Sequence, residues 1–485
     1  KLGRADFIKK AALATAGFYI VPRSVLGGVG YVAPSDKLNI AAIGCGGEGD
    51  NDIQHLANTP NKNSNIAFLC DVDERPAASK RKQFPKAKFY KDWREMFDKE
   101  SKHFDAVTVA IPDHNHALVG LSAMQLKKHL YLQKPLTHDI YEARILTQAA
   151  EKYKVVTQMG DQGASCDGMR TMREWFEADL IGDIEKVYCW TDRPVWPQGI
   201  AWPKTKPPIP KELNWDLWLG TAQKTNYIDN LVPFNWRGWW EFGTGALGDM
   251  GCHIMGPPFK LLELGYPTEI SGSASTVYSG IFKEAVYPES GPLSSSLKFK
   301  FKQKNGKDLD LFWMDGGITP ERLNELDPEL NSNDALGDFP GENDFEGATL
   351  FIGTKGKVAC GWGGSHPRLL PLSLNKDVNI PEKYARVKGN MDGHWWQWVD
   401  ASIAGYGNME VDSPFVGYAG PLTETVLLGN LLLRSFNIRE KIKRVDPVYG
   451  NMEGYKFSGR YKALKWDGEN MRVTNFEAAN QFIKR

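Results

Sequence analysis

The chain has 485 residues, more than one hydrophobic core usually serves, so at least two domains are expected. Lysine plus arginine equals aspartate plus glutamate, 59 of each, which removes the electrostatic case for a nucleic-acid partner or an anionic membrane surface. The six cysteines form no Cys-x-x-Cys pair, which argues against a zinc ribbon and a dense disulfide framework.

At the start, Arg4-Ala-Asp-Phe-Ile-Lys-Lys10 precedes the apolar run Ala11 to Val21, which is too short to span a bilayer and has the charge-then-apolar order of an export signal. It resembles a twin-arginine signal with Ala5 in place of the second arginine. Residues 1–36 are therefore read as a signal or an N-terminal arm. A periplasmic location without stable membrane insertion is expected; a cytoplasmic one is the alternative if the signal does not function.

Next, Lys37 to Ile43 forms an apolar strand that runs into Gly44-x-Gly46-x-x-Gly49 and a helix-compatible segment. In such a turn Gly44 allows the tight bend, Gly46 lets backbone approach a pyrophosphate, and Gly49 lets the helix pack close to the strand. Gly47 and Glu48 lie in the same loop, and the helix N-terminus faces the phosphates. A second strand, Asn65 to Asp71, ends in the acid expected on a ribose 2′-hydroxyl. Asp71 would repel a 2′-phosphate, which favours NAD over NADP, with Arg75 as the residue that argues the other way.

The strand Phe104–Ile111 leads into Pro112-Asp-His114-Asn-His116 and a helix over 117–127. Strand His129–Gln133 is followed by Lys134-Pro135, then by a helix over 140–152 and strand Val155–Met159. This alternation predicts a doubly wound parallel sheet, a Rossmann domain over 37–160. Ligands of such sheets sit at the carboxyl ends of the strands, where Gly44, Asp71, Pro112, Lys134 and Gln158 fall.

Residues 161–485 read as a C-terminal α+β domain with a large, mostly antiparallel sheet, with strands at 185–191, 269–278, 295–301, 309–314, 348–353 and 357–360. Nine of the 16 tryptophans lie from Trp175 to Trp240. The segment 190–240 is too rich in Pro and Gly for regular structure, and long loops of this kind commonly carry binding function. Indole faces such as those of Trp196 and Trp239 suit the C–H faces of a pyranose, and Asn235 and Arg237 suit hydroxyls; alternatively, the aromatics knit the loop to the core. In Gly248-Asp-Met-Gly-Cys-His253, Asp249 and His253 share one helix face at i, i+4, although Asp249 also qualifies as an N-cap. Helices are expected from Gly393, bringing His394 beside aromatic residues, and over Pro421–Phe436. The tail from Val445 carries no motif, and no metal site is expected, because there is no His-Glu-x-x-His pattern.

The glycine loop, Ile111-Pro-Asp-His-Asn-His116, Lys134-Pro135 and Gly248–His253 occur in the order and near the spacing of the Gfo/Idh/MocA oxidoreductases, the family of glucose–fructose oxidoreductase and inositol dehydrogenase. The chain resembles that family over nearly its whole length, most closely exported bacterial members with Gln-Lys-Pro-Leu-Thr and Thr-Gln-Met-Gly-x-Gln-Gly, here Gln133–Thr137 and Thr157–Gly163. Two departures stand out: Gln133 where many members have Glu, and Asp161-Gln-Gly-Ala-Ser165 where relatives read Asn-Gln-Gly-His-Ser.

The resemblance implies Lys134, Asp249 and His253 as catalytic residues. NAD would be held by Gly44, Gly46, Gly47, Glu48, Gly49, Asp71, Ile111, Pro112, His114, His116 and Lys134. A carbohydrate would meet Trp196, Asn235, Arg237, Trp239, Asp249 and His253. Oxidising a secondary alcohol needs a base and an alkoxide-stabilising donor converging on one oxygen, and either Lys134 or His253 qualifies as the base. Asp249 is expected to orient the imidazole or to hold a sugar hydroxyl. By analogy the C-terminal sheet forms a homodimer or homotetramer. The leading expectation is NAD-dependent oxidation of a sugar or glycoside hydroxyl, with C3 favoured. The alternatives are an NAD-dependent glycosidase using transient C3 oxidation, elimination and hydration, and a non-catalytic regulator that binds nucleotide and sugar.

Overall fold

The computed structural model describes residues 36–281, 283–321, 347–376, 378–446 and 450–485; the expected export signal lies outside the described residues. Six strands, β1 (Leu38–Ile43), β2 (Ser64–Cys70), β3 (Lys88–Tyr90), β4 (Ala106–Val109), β5 (His129–Gln133) and β6 (Thr157–Gly160), form one sheet in the order β3-β2-β1-β4-β5-β6. Every pair is parallel. The order reverses between β1 and β4, which opens a crevice at their carboxyl ends. The strands are apolar and covered on both faces, as parallel strands must be. Strand β3, with three residues and no fully buried position, lacks the apolar run by which the others are legible.

The first turn depends on missing side chains. Gly44 has φ +90°, and a Cβ there would lie 2.0 Å from the Ala110 carbonyl oxygen; at Gly49 a Cβ would lie 2.4 Å from the Gly44 carbonyl oxygen. Helix α1 (Glu48–Ala57) starts from this turn, with Glu48 and Asp50 in its first turn complementing the helix dipole. Helix α2 (Ile140–Tyr153) is capped by Asp139, whose carboxylate accepts from the Glu142 amide at 2.8 Å.

The remaining strands are β7 (Ile184–Trp190), β8 (Glu269–Ala274), β9 (Val277–Gly280), β10 (Lys283–Ala285), β11 (Ser295–Lys302), β12 (Asp308–Met314), β13 (Ala348–Gly353), β14 (Lys357–Gly361), β15 (Arg368–Leu370), β16 (Arg439–Asp446), β17 (Gly450–Phe457), β18 (Leu464–Asp467) and β19 (Arg472–Val473). Nine of them make a second sheet in the order β15-β14-β13-β7-β12-β11-β8-β18-β19, antiparallel throughout except between β7 and β12. The expected strand 269–278 divides into β8 and β9, the latter pairing with β10. The tail that showed no motif holds β17, which pairs with β16 just ahead of it, and the strand β18, which extends the sheet at β8.

On β11, Leu297, Phe299 and Phe301 point inward while Lys298 and Lys300 point outward to Asp310 and Glu269. The inward residues join one core with helix α3 (Gly245–Leu261) and helix α5 (Gly420–Ser435). Helix α4 (Gly393–Ala404) lies elsewhere. Its Trp395, Trp398 and Val399 pack on Ile40, Ile53, Leu56 and Tyr131, closing one face of the first sheet. His394 is a packed residue: its Nδ1 is 2.7 Å from Ser165 Oγ and its Nε2 2.9 Å from the Met159 carbonyl oxygen. All six cysteines are buried and free, and no helix among the described residues is long and apolar enough to cross a membrane.

Gly44→Ala should cost at least about 2 kcal/mol, because the new methyl must displace backbone at a positive φ. Gly265→Ala, with open space around it, should stay within about 0.5 kcal/mol. Urea unfolding of the two variants checks the contrast.

Candidate active site

A cleft of about 950 Å³ opens at the carboxyl ends of the first sheet. Gly44, Gly46, Gly47, Glu48 and Asp71 line it, as do Ile111, Pro112, His116 and Lys134, and, from beyond the first sheet, Arg237, Asp249 and His253. Gly49 lies beneath the loop and shapes it without facing the cleft.

The Asp71 carboxylate accepts from the Cys45 amide at 2.8 Å and the Asp73 amide at 2.9 Å, and burial pushes it up to about 6. It therefore ties the glycine turn to the end of β2 and still borders the cleft. Arg75 is spent on Asp73, with Nε 2.8 Å from Oδ1, and does not line the cleft. The glycine turn without side chains, the start of α1 and Asp71 together fit an NAD dinucleotide, with the pyrophosphate at the turn and a ribose at Asp71.

Lys134 follows β5 directly. Its Nζ donates to the Asp249 carbonyl oxygen at 2.6 Å and to Asp249 Oδ1 at 3.0 Å. Arg237 Nε donates to the same Oδ1 at 3.1 Å, and its guanidinium lies over the rings of Phe234 and Trp236 at 4.5 and 4.4 Å. Burial alone would raise the Asp249 carboxyl, but Lys134 and Arg237 outweigh it and hold the group well below the usual carboxylate range. Asp249 is not a cap: α3 begins after Thr244, and Asp249 stands in its second turn.

His253 sits one turn further along α3. Its Nδ1 is 2.8 Å from Asp161 Oδ1, and the other Asp161 oxygen accepts from the Tyr418 hydroxyl at 2.9 Å. The Trp362 ring stands 4.8 Å from the imidazole. With a carboxylate facing Nδ1, that nitrogen carries the hydrogen and the Nε2 lone pair is left for the cleft. Asp161, not Asp249, orients the imidazole. Its signal in the sequence was an acid at the carboxyl end of β6, in the segment that departs from its relatives.

Asp113 is a second residue that sequence reasoning passed over. It is buried, borders the cleft, and accepts from Thr244 Oγ1 at 2.6 Å on Oδ2. Burial pushes its carboxyl up to about 7 although Arg237 and Lys134 pull the other way.

Several expected contacts fall elsewhere. His114 is fully buried outside the cleft, with Nδ1 3.2 Å from the Phe242 carbonyl and Nε2 3.1 Å from that of Trp218, and burial pushes it down to about 3. His116 borders the cleft but joins two turns through the Pro135 and Ile111 carbonyls at 2.8 and 2.6 Å; burial pushes it down to about 4. Trp196, Asn235 and Trp239 do not line the cleft. Trp196 Nε1 donates to Gln198 at 2.9 Å, Trp239 packs edge-on against Trp202 at 4.6 Å, and Asn235 opens a short 3-10 turn. The knitting role is the one these tryptophans fill, while Trp218, Phe234, Trp236 and Trp362 face the cleft. Gln133 donates to the buried Asp52 at 3.0 Å, so its amide serves a carboxyl on α1. Among the described residues no group of His, Cys, Asp and Glu is placed to hold a metal.

The profile described as "Oxidoreductase family, NAD-binding Rossmann fold" (GFO_IDH_MocA) matches residues 38–161, and that for the family's C-terminal alpha/beta domain matches residues 187–271. Levoglucosan dehydrogenase of Pseudarthrobacter phenanthrenivorans is 21% identical over 188 residues, 39% of this chain and 40% of that one. An oxidoreductase of Streptococcus pneumoniae is 26% identical over 109 residues, 22% of this chain and 29% of that one. The chain thus spans less than half the length of either curated relative. Among solved structures, the WlbA dehydrogenase from Bordetella pertussis in complex with NADH and UDP-GlcNAcA is similar with a TM-score of 0.52 and 15% identity, covering 81% of this chain and 94% of that one. GenD2 from gentamicin A biosynthesis in complex with NAD has a TM-score of 0.50 at 14% identity, covering 81% and 92%. These are likenesses of fold.

Asp113 keeps its proton in the folded chain up to about 7, whereas an unfolded aspartyl releases it near 4. The folded state therefore binds the extra proton between those values, and this contribution to stability is lost as pH rises through the window. Asp113→Asn should gain stability relative to the parent between about pH 4 and about pH 8. Denaturant midpoints at both pH values check the sign.

Proposed function

We propose that this chain, which belongs to the Gfo/Idh/MocA oxidoreductase family and carries its NAD-binding domain, oxidises a secondary hydroxyl of a sugar or glycoside by hydride transfer, with C3 the favoured position. The observation that carries this reading is His253, bound through Nδ1 to Asp161 with Nε2 left for the cleft, one helical turn from an Asp249 that grips Lys134.

NAD bound at the glycine turn supplies the hydride acceptor. The chain's own residues supply the rest. His253 Nε2 takes the hydroxyl proton, and the imidazolium that forms is stabilised by the Asp161 carboxylate. Lys134, with two N–H bonds engaged by Asp249, turns its third toward the oxygen that becomes an alkoxide. A lysine so directed works as a donor, which leaves the role of base to His253. Phe234, Trp236 and Trp362 give the C–H faces of a ring an apolar wall.

Transient oxidation followed by elimination is the rival reading, and it needs a second base beside the same residues. Asp113, a carboxyl bordering the cleft with one hydrogen bond, is the observation in its favour.

Incubation with α- and β-glucosides and galactosides plus NAD, reading NADH absorbance and free sugar together, separates the two. NADH without cleavage supports the dehydrogenase; cleavage without net NADH favours elimination; neither, from NAD-loaded protein, overturns both. His253→Ala and Lys134→Ala should each lower kcat by about 10²–10⁴. Asp161→Asn should lower it by about 10–10² with KM for NAD unchanged.

A further inference from the structure

Asp161 is a buried carboxylate with no lysine or arginine in ion-pair contact among the described residues. Its two oxygens are divided between an imidazole and a phenol: Oδ1 faces His253 Nδ1 at 2.8 Å, and Oδ2 accepts from the Tyr418 hydroxyl at 2.9 Å. Tyr418 itself is buried and does not line the cleft.

The fold fixes the tyrosine for this contact. Tyr418 stands in the turn Phe415–Ala419 ahead of α5, and the chain just before that turn is tied to β6. The Met159 amide donates to the Ser413 carbonyl oxygen at 2.9 Å, and Ser413 Oγ donates to the Met159 carbonyl oxygen at 2.6 Å. A Cβ at Gly256 would lie 2.8 Å from the Tyr418 hydroxyl oxygen and 3.2 Å from Asp161 Oδ2, so α3 carries no side chain where the two meet. Lys260, also on α3, puts its Nζ 5.3 Å from the centre of the Tyr418 ring and donates to Asp412 Oδ1 at 3.1 Å, an oxygen that Arg170 meets at 2.8 Å. Cys252 is the other titratable group of α3 near the phenol, while Lys134, Asp249 and Asp113 share the cleft with His253. Burial first, then the charge of Asp161, pushes the Tyr418 phenol well above its usual range, so the hydroxyl stays a donor.

A carboxylate that already accepts a hydrogen bond from a phenol holds an imidazolium less tightly than one without it, because both partners draw on the same charge. We propose that Tyr418 is a positioning residue of the hydride-transfer reaction: through Asp161 it holds the His253 ring with Nε2 toward the cleft and limits the grip of the carboxylate on the imidazolium. The proton taken by Nε2 from the substrate hydroxyl is then released to solvent more readily. This rests on His253 as the base in the reading above and extends it to a residue that touches neither substrate nor cofactor.

The test uses the full chain loaded with NAD and with its histidines labelled with carbon-13, so that the His253 ring signal is titrated without any substrate. His253→Gln identifies that signal among the nine histidines. Tyr418→Phe keeps the ring and removes the hydroxyl, and it should raise the His253 midpoint by about half a unit to one unit. Asp161→Asn should lower the midpoint by about one unit or more, and on that background Tyr418→Phe should move it by less than about 0.2 unit. An unchanged or lowered midpoint in Tyr418→Phe, or the same rise with and without the Asp161 carboxylate, overturns the proposal. With the glucosides and galactosides above as substrates, the acid limb of kcat/KM should move up by the same amount in Tyr418→Phe, with kcat on the alkaline side within about threefold of the parent. An acid limb that stays in place while the ring midpoint moves also overturns it. Absence of NADH with all of those substrates counts against the oxidoreductase reading instead, and the ring titration alone then decides the role of Tyr418.

Discussion

One half-buried carboxylate constrains the arrangement of everything around it. Asp249 lies on a helix of the second sheet's core, and its charge is compensated by Lys134 from the end of β5 and by Arg237 from the aromatic loop. A carboxylate largely withdrawn from water is costly without such partners, which favours the three segments arriving together. The placement of the long tryptophan-rich loop is thus coupled to closure of α3 against the nucleotide-binding sheet. Arg237 is held in turn between Phe234 and Trp236, so the loop's aromatic packing fixes the position of a charge.

A second polar chain runs beside the first without merging with it. Asp161, at the end of β6, links His253 on α3 to Tyr418, just before α5. Two acids with similar sequence contexts therefore do different work. Asp249 meets two cations through one oxygen and anchors a donor, while Asp161 meets an imidazole and a phenol and sets the tautomer of a base. Asp113 differs again, lacking a direct cation contact and accepting only a threonine hydroxyl. Local environment, not residue type, separates the three carboxyls.

The parts legible in the sequence were those governed by short-range periodicity. Strand β13 spans the expected residues, α2 ends one residue from its predicted limit, and the glycine turn performs the steric tasks assigned to Gly44 and Gly49. Lys134, Asp249 and His253 meet at the cleft as expected, because they lie at a strand end and on one helix face. Pairings made across the fold were not legible. An i, i+4 spacing suggested that Asp249 would orient His253, but the side chains of a helix diverge around its axis and a strand end supplied the nearer carboxylate. Tryptophan content marked the loop as aromatic without saying which indoles reach the cleft: Trp196, Trp236 and Trp239 are all buried, and of the three Trp236 alone borders it. The two histidines of the Pro112 turn separate for the same reason, since a difference of two positions turns His114 away from the cleft.

Helix α4 comes from the far end of the chain, yet Trp395 and Trp398 complete the apolar cover of β1 and α1, and Trp395 stacks on His55 at 4.1 Å. The nucleotide-binding half is therefore not a module in the sense its sequence suggests. Cut after residue 160, it would present bare Ile40, Leu56 and Tyr131 to water; grafted onto another catalytic half, it would demand a matching helix from its new host. A chimera of two such halves would keep this packing where the first sheet and the helix Gly393–Ala404 come from one parent.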